Sequence, residues 1–257
     1  MQNLDKYTAE FRALSLEALD AMKLLERYDT KYLVPTDVLP EFLSRLVANY
    51  SILEIAGSRE FEYFNEYFDT SDFRFYSNHH NGKINRLKIR YRRYVETGVA
   101  FMEVKKKIKH ETKKYRIPHS FDSFEFDAAS TNFVGEKAGI NSVELVPKLQ
   151  IIYRRITLLN PKSGDKITID RDLRFDNGEN KYVLSHLAII EVKTKKSSEA
   201  IRNAGSATQV LREMMISRTD LSKYCIGLVL TKSKVKYNRF KRKILLINRL
   251  VDSHDGL

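Results

Sequence analysis

Cysteine is almost missing from this sequence. The single Cys225 has no partner for an intramolecular disulfide and fits a reducing compartment. It lies in the apolar run Tyr224–Leu230, where a buried, inert thiol is expected. No apolar stretch reaches the length that spans a bilayer, and the first residues lack the charged-then-apolar layout of a signal peptide. The expectation is a soluble cytoplasmic protein, with attachment to the inner face of a membrane through a membrane-protein partner left open. Also missing are a Walker loop, a serine or cysteine hydrolase elbow and a zinc cluster. His79 and His80 do not supply the last, because neighbouring side chains diverge and no cysteine or third histidine sits at a ligand spacing. No internal repeat or low-complexity linker divides the chain, so one α+β domain over residues 1–257 is expected.

Positive charge is what the chain has in excess. Lysine and arginine number 45 against 33 acidic residues, a formal charge of +12 that implies an anionic partner. Nucleic acid, phosphorylated small molecules and an acidic membrane surface all meet that requirement. The hydrophobic fraction of 42% is enough for a sizeable core.

The charge is patterned. Read as a strand, residues 85–94 place Arg86, Lys88, Arg90 and Arg92 on one face and Leu87, Ile89 and Tyr91 on the other. Glu103, Lys105 and Lys107 alternate with Met102 and Val104. Lys114 and Arg116 follow, and Tyr153 shares a face with Arg155. Lys166, Thr168 and Asp170 lie opposite Ile167 and Ile169, and Glu191 and Lys193 lie opposite Ile190 and Val192. If such strands close into an antiparallel barrel with helices outside, the charged faces point inward. Crowded like charges are tolerable there only if the lumen is wet and holds an anion. A chain of phosphates fits best. Most aromatic residues fall on the apolar faces or between Phe61 and Tyr76, so specific nucleic-acid binding is not expected.

Around these strands the spacing of apolar residues predicts a helical segment over residues 1–24, the barrel over 25–230 and a basic helix over 231–257. Residues 26–34 form the first strand and a capped helix runs to about Tyr50. Residues 61–69 form an aromatic strand that continues briefly over 73–77. A turn near Glu96–Gly98 joins two strands, and residues 118–147 are helical or irregular. Strands resume over 149–159, 166–175 and 182–195, and Ser197 or Ser198 caps a helix to Ile216.

In order and separation these segments resemble the catalytic domain of the vacuolar transporter chaperone (VTC) complex, the polyphosphate polymerase branch of the triphosphate tunnel metalloenzymes. Arg27 and Lys31 match its early basic strand, Lys88 and Arg90 its alternate pair, and Arg92 lies one step beyond. Phe101–Lys105 resembles a Phe-x-Glu-x-Lys strand, followed by Lys114 and Arg116. Tyr153–Arg155 resembles Tyr-x-Arg, Lys166–Leu173 the Asp-x-Asp-Leu strand, and Ser222–Tyr224 a Ser-Lys-aromatic motif. Lys88 and Lys166 replace the usual arginine, and Asp220 stands where a second lysine would precede Lys223, with Arg218 nearby.

The resemblance implies a metal-dependent polymerase that binds ATP and extends a polyphosphate or phosphate acceptor. It gives catalytic roles to Lys31, Lys88, Arg90, Lys105, Arg155 and Lys166, and phosphate binding to Arg27, Arg92, Lys114, Arg116, Lys193 and Lys223. Glu191, helped by Glu103, would bind Mn²⁺ or Mg²⁺. A triphosphatase or polyphosphate hydrolase of the same fold, or a non-catalytic polyanion binder, are the alternatives.

Overall fold

The computed structural model describes residues 3–22, 27–109, 111–195 and 206–255. The expected helical start is a helix–strand–helix: α1 (Asp5–Ala9), β1 (Arg12–Leu14) and α2 (Leu16–Ala21). Next come β2 (Arg27–Pro35), α3 (Leu39–Ser44), β3 (Ser51–Leu53), β4 (Glu60–Thr70) and α4 (Arg74–His80). The meander β5 (Arg86–Tyr94), β6 (Val99–Ile108) and β7 (Glu111–His119) leads to α5 (Ala128–Ala138). Then follow β8 (Leu145–Leu159), β9 (Lys166–Asp176), β10 (Lys181–Leu184) and β11 (Leu187–Lys195), and finally α6 (Ala207–Glu213), α7 (Lys223–Leu230) and α8 (Lys241–Asp255).

All eleven strands belong to one sheet, whose main path runs β2-β11-β9-β8-β4-β5-β6-β7. Every ladder on that path is antiparallel. The architecture is α+β, but the expected closed barrel is corrected. Among the described residues β2 and β7 end the path without pairing to each other, the outer edge of β2 taking only an isolated bridge from Tyr32 to Arg218, so the sheet is curled and left open. The curl brings Lys31 of β2 within electrostatic reach of Lys105 on β6, beside Lys114 of β7. Cations on both approaching edges repel, which opposes a ladder between them.

Alternation sorts the side chains as expected. On the convex face Tyr32, Val34, Ile156, Ile167, Ile169, Ile190 and Val192 pack under α3 and α6. Ile89, Tyr91, Met102 and Val104 pack under α5. On the concave face the apolar Leu149, Ile151, Leu173, Phe175, Leu187 and Ile189 receive α7, which fills one end of the curl. Gly227 permits that approach: a Cβ there would lie 2.5 Å from Phe175 Cδ1 and 2.6 Å from Leu149 Cδ2. Gly227→Ala is therefore expected to cost about 1–3 kcal/mol by overpacking, measured by denaturant unfolding; no loss would show that α7 sits elsewhere.

Several expected boundaries move. The strand expected over 73–77 is the start of α4, the helix expected to reach Tyr50 ends at Ser44, and the strand over 182–195 is broken into β10 and β11 at Ser185–His186. The expected caps Ser197 and Ser198 lie outside the described residues, where α6 is capped by Ser206. The basic C-terminal helix expected from residue 231 begins only at Lys241, as α8, with Ile247 buried and Ile244, Leu246, Leu250 and Val251 against the α7 core. Among the described residues no helix is long and apolar enough to cross a membrane.

Candidate active site

The half of the concave face that α7 leaves open is a groove lined by cations from seven strands. Cross-strand register puts Lys88 opposite Lys105, Arg90 opposite Glu103, and these in turn opposite Lys114 and Arg116. On the other wall Lys31 faces Glu191, and Lys193 faces Lys166. Arg155, on β8, completes the lining beside Asp170. Arg27 lies on β2 opposite Lys195; its side chain is outside the described set.

The loop before α7 forms the closed end. Lys31 Nζ donates to the Leu221 carbonyl at 3.2 Å and Lys88 Nζ to Ser222 Oγ at 2.9 Å. Ser222 also caps α7, accepting from Cys225 N, so a helix N-terminus and Lys223 both enter the groove. Tyr224 stacks on Tyr67 at 5.1 Å and donates to Asp69 Oδ2 at 2.7 Å, which anchors this end to β4.

Three groups of charges hold the lining. Glu103 binds Arg90 Nε at 2.6 Å; burial would raise its pKa, but Arg90, with Arg92 and Arg116, holds it down to about 2. Asp170, with 2% of its side chain exposed, accepts from Arg155 Nε at 2.5 Å and Nη2 at 2.8 Å, and from Lys223 Nζ. Burial opposes its ionisation, and Arg155 and Lys223 overcome it, keeping the carboxyl well below the usual range. Glu191 binds Lys193 Nζ at 2.9 Å and lies 4.0 Å from Lys31 Nζ. There too the ammonium groups outweigh burial and the carboxyl stays ionised.

Tyrosines stiffen the floor. Tyr63 and Tyr153 stack at 5.3 Å, with the Arg155 guanidinium 4.7 Å from the Tyr63 ring and Lys223 Nζ 4.9 Å from the Tyr153 ring. Arg92, 7% exposed, has neutral partners: Nε donates to Asn65 Oδ1 at 2.8 Å and Nη2 to Tyr153 Oη at 3.0 Å. Arg90 also donates to Tyr67 Oη at 2.9 Å, and Arg90 and Lys88 overcome burial to lower that phenol's pKa.

Lys105 and Lys114 are solvent-exposed. Lys105 keeps solvent access, yet its place within the curl partly desolvates it, and the charges of Lys88, Lys114 and Lys31 add to this, so its ammonium is pushed down to about 7. The sign is definite. As pH rises through about 7 Lys105 loses its charge, and a bound anion, by raising that pKa, takes up a proton. Lys105→Gln is expected to weaken tripolyphosphate binding more at about pH 6 than at about pH 8, by up to about tenfold. The wild-type-to-variant ratio at each pH removes the ligand's own titration; a constant ratio would contradict this role.

The structure thus places Lys31, Lys88, Arg90, Arg92, Lys105, Lys114, Arg116, Arg155, Lys166, Lys193, Lys223, Glu103 and Glu191 on one concave face. It adds Asp170, Tyr67 and Asp69, to which sequence reasoning gave no role. Asp170 was visible in the alternation with Lys166 and Thr168. Asp69 and Tyr67 were hidden in a strand aromatic on both faces. Asp220 is exposed and points away toward Lys243, 3.9 Å off, and Arg218 is also exposed. His79 lies in α4 with its Nδ1 3.2 Å from Cys225 Sγ. Burial, then the Lys88 and Arg86 charges, push the imidazole down to about 3 and burial pushes the thiol up, consistent with packing.

Among solved structures the chain is similar in fold to a Hippeastrum adenylyl cyclase candidate described as having a dominant triphosphatase activity. The TM-score is 0.53 at 15% identity, covering 80% of this chain and 96% of that one. It is similar also to an adenylate cyclase candidate from Bacillus halodurans, with a TM-score of 0.52 at 14% identity, covering 77% and 94%. At these identities the likeness is one of fold alone. No curated protein matches the sequence. The VTC domain model matches residues 26–232, most of the chain, and the chain belongs to the VTC domain family.

Proposed function

We propose that the protein is a metal-dependent polyphosphate polymerase that transfers the γ-phosphate of ATP to phosphate or to the end of a polyphosphate chain. The observation that carries this reading is the concave lining itself, in which cations from facing strands outnumber carboxylates and converge on one groove. Arg90 and Arg155 are held by Glu103, Tyr67 and Asp170, and their remaining guanidinium N–H groups are the donors offered to phosphate oxygens. Lys31, Lys88, Lys105 and Lys166 neutralise the transferred group, and Arg27, Arg92, Lys114, Arg116, Lys193 and Lys223 hold the rest of the chain. A terminal acceptor oxygen attacks the γ-phosphorus, the bond from that phosphorus to the β–γ bridging oxygen breaks, and its electron pair leaves with ADP. No side-chain nucleophile is needed, because alignment and charge supply the acceleration.

The carboxylates suit a metal that brings most of its own ligands. Among the described residues no three carboxylate, histidine or cysteine side chains converge on one point. Glu191, partly exposed and ionised, fits as a single protein ligand of Mn²⁺ or Mg²⁺, with water and phosphate completing the shell. Such an ion supplies further neutralisation of the phosphate oxygens. Glu103 is engaged by Arg90 and serves chiefly to orient it.

A triphosphatase is the second reading, favoured by the activity described for the Hippeastrum protein. Incubation with ATP and Mn²⁺, with products resolved by gel and phosphorus NMR, separates the two. Long phosphate chains with ADP are expected, slowed about 100-fold or more in Glu191→Gln. Orthophosphate without chains would replace the polymerase by the hydrolase, and intact ATP would overturn both.

A further inference from the structure

A second basic surface runs outside the groove. Between Asp220 and Asp252 the chain has no acidic residue. After α7 it leaves Thr231, whose carbonyl accepts from Asn177 Nδ2 at 3.2 Å at the closed end of the curl. It then climbs back along α7. Val235 packs into the core, the Lys236 carbonyl accepts from Tyr76 Oη at 2.7 Å, and Phe240 is buried beside α4. With Val235 turned inward, Lys232, Lys234 and Lys236 stand exposed, followed by Lys241 and Arg242. None of these five has a carboxylate ion-pair partner among the described residues.

The strip meets the groove. Lys243 reaches Asp220 at 3.9 Å, and Asp220 lies in the segment that binds the groove lysines from inside. There Thr219 N donates to the Lys31 carbonyl at 2.7 Å, and Leu221 and Ser222 receive the Lys31 and Lys88 ammonium groups. His79 lies within electrostatic reach of Lys88, Arg86, Lys243 and Lys31, so groove cations and a cation of the strip flank the same imidazole. Asp220, 94% exposed, is the acidic side chain at the join.

We propose that the outer surface of residues 232–243 is a second binding site for phosphate chains, continuous with the groove and engaged only by chains too long for the groove alone. The proposal rests on the groove reading above. An extended row of exposed lysines without internal partners suits a flexible polyanion, whose binding is driven by neutralisation and release of counterions.

The test measures binding of tripolyphosphate and of a chain of several tens of phosphates to the full-length wild type and to K232Q/K234Q/K236Q/K241Q. The long chain is expected to lose about tenfold in affinity and to show a shallower salt dependence, with tripolyphosphate unchanged. A smaller variant, K234Q/K236Q, keeps the test valid if the fourfold one fails to fold. Unchanged long-chain affinity, or an equal loss for both ligands, would overturn the proposal. So would loss of binding to phosphatidylserine vesicles with long-chain affinity intact, which would mark the strip as a membrane contact. Failure of the wild type to bind tripolyphosphate is a separate result, which removes the groove reading itself.

Discussion

Arg155→Ala is expected to slow turnover of ATP by about 10²–10³-fold, the loss associated with one preorganised donor to a developing oxyanion. The geometry argues for the upper part of that range. Arg155 is 14% exposed at its side chain, stacked over Tyr63, and fixed by two bonds to Asp170, so its fork is already oriented toward the groove. Truncation removes that donor and also leaves Asp170 with a single cationic partner, Lys223. A buried carboxylate short of counter-charge repels phosphate and draws Lys223 more tightly to itself. Two consequences separate this account from a simple loss of positive charge. Arg155→Lys keeps the charge but not the fork and should recover only part of the rate. The double variant R155A/D170N should bind triphosphate better than R155A alone, because the uncompensated carboxylate is gone. A single-turnover rate for Arg155→Ala within about threefold of wild type would remove Arg155 from the reaction.

Asp69→Ala should have the largest effect on stability, about 3–5 kcal/mol by denaturant unfolding. Asp69 is fully buried at the end of β4. Its Oδ1 accepts from Thr70 N at 2.8 Å and Phe75 N at 2.8 Å, and its Oδ2 from Tyr76 N at 2.9 Å and Tyr224 Oη at 2.7 Å. One carboxylate therefore starts α4 and ties down α7. Alanine leaves those donors buried without an acceptor, whereas Asp69→Asn retains one acceptor oxygen and should cost less. Because α7 carries Ser222 and Lys223 into the groove, the folded fraction of the variant should also bind phosphate more weakly. A loss below about 1 kcal/mol would mean that α7 is held by its apolar contacts alone.

The same carboxylate shows why some of the fold could not be read from the sequence. Residues 73–77 read as a continuation of the aromatic strand beyond Thr70–Asp72, because the residue at the actual capping position, next to Arg74, is not one of the usual capping types. Phe73 stands there with φ of 59°, and the helix donors are satisfied by side chains at the end of β4, Arg74 N donating to Thr70, and Phe75 N and Tyr76 N to Asp69. A cap delivered from outside leaves no local signal. The run Tyr224–Leu230 carries no sequence signal of its helix for another reason. Buried on nearly all sides, it has no polar face to reveal a helical period. Period-two alternation, by contrast, identified the groove strands and their inward residues, because each strand packs one face on a core and turns the other to charge. What alternation could not report is whether the two edges meet. Closure depends on the charges of Lys31, Lys105 and Lys114 across the gap, a long-range balance that no single strand encodes.

The central claim is that triphosphate lies inside this curl. A crystal structure of the protein with a non-hydrolysable ATP analogue and Mn²⁺ tests it most directly. The account predicts phosphates between the β5–β6 wall and the β2–β11 wall, in contact with Arg90, Arg155 and Lys88, with the metal on Glu191. An analogue bound outside the concave face, with those four side chains keeping their present partners, would contradict it.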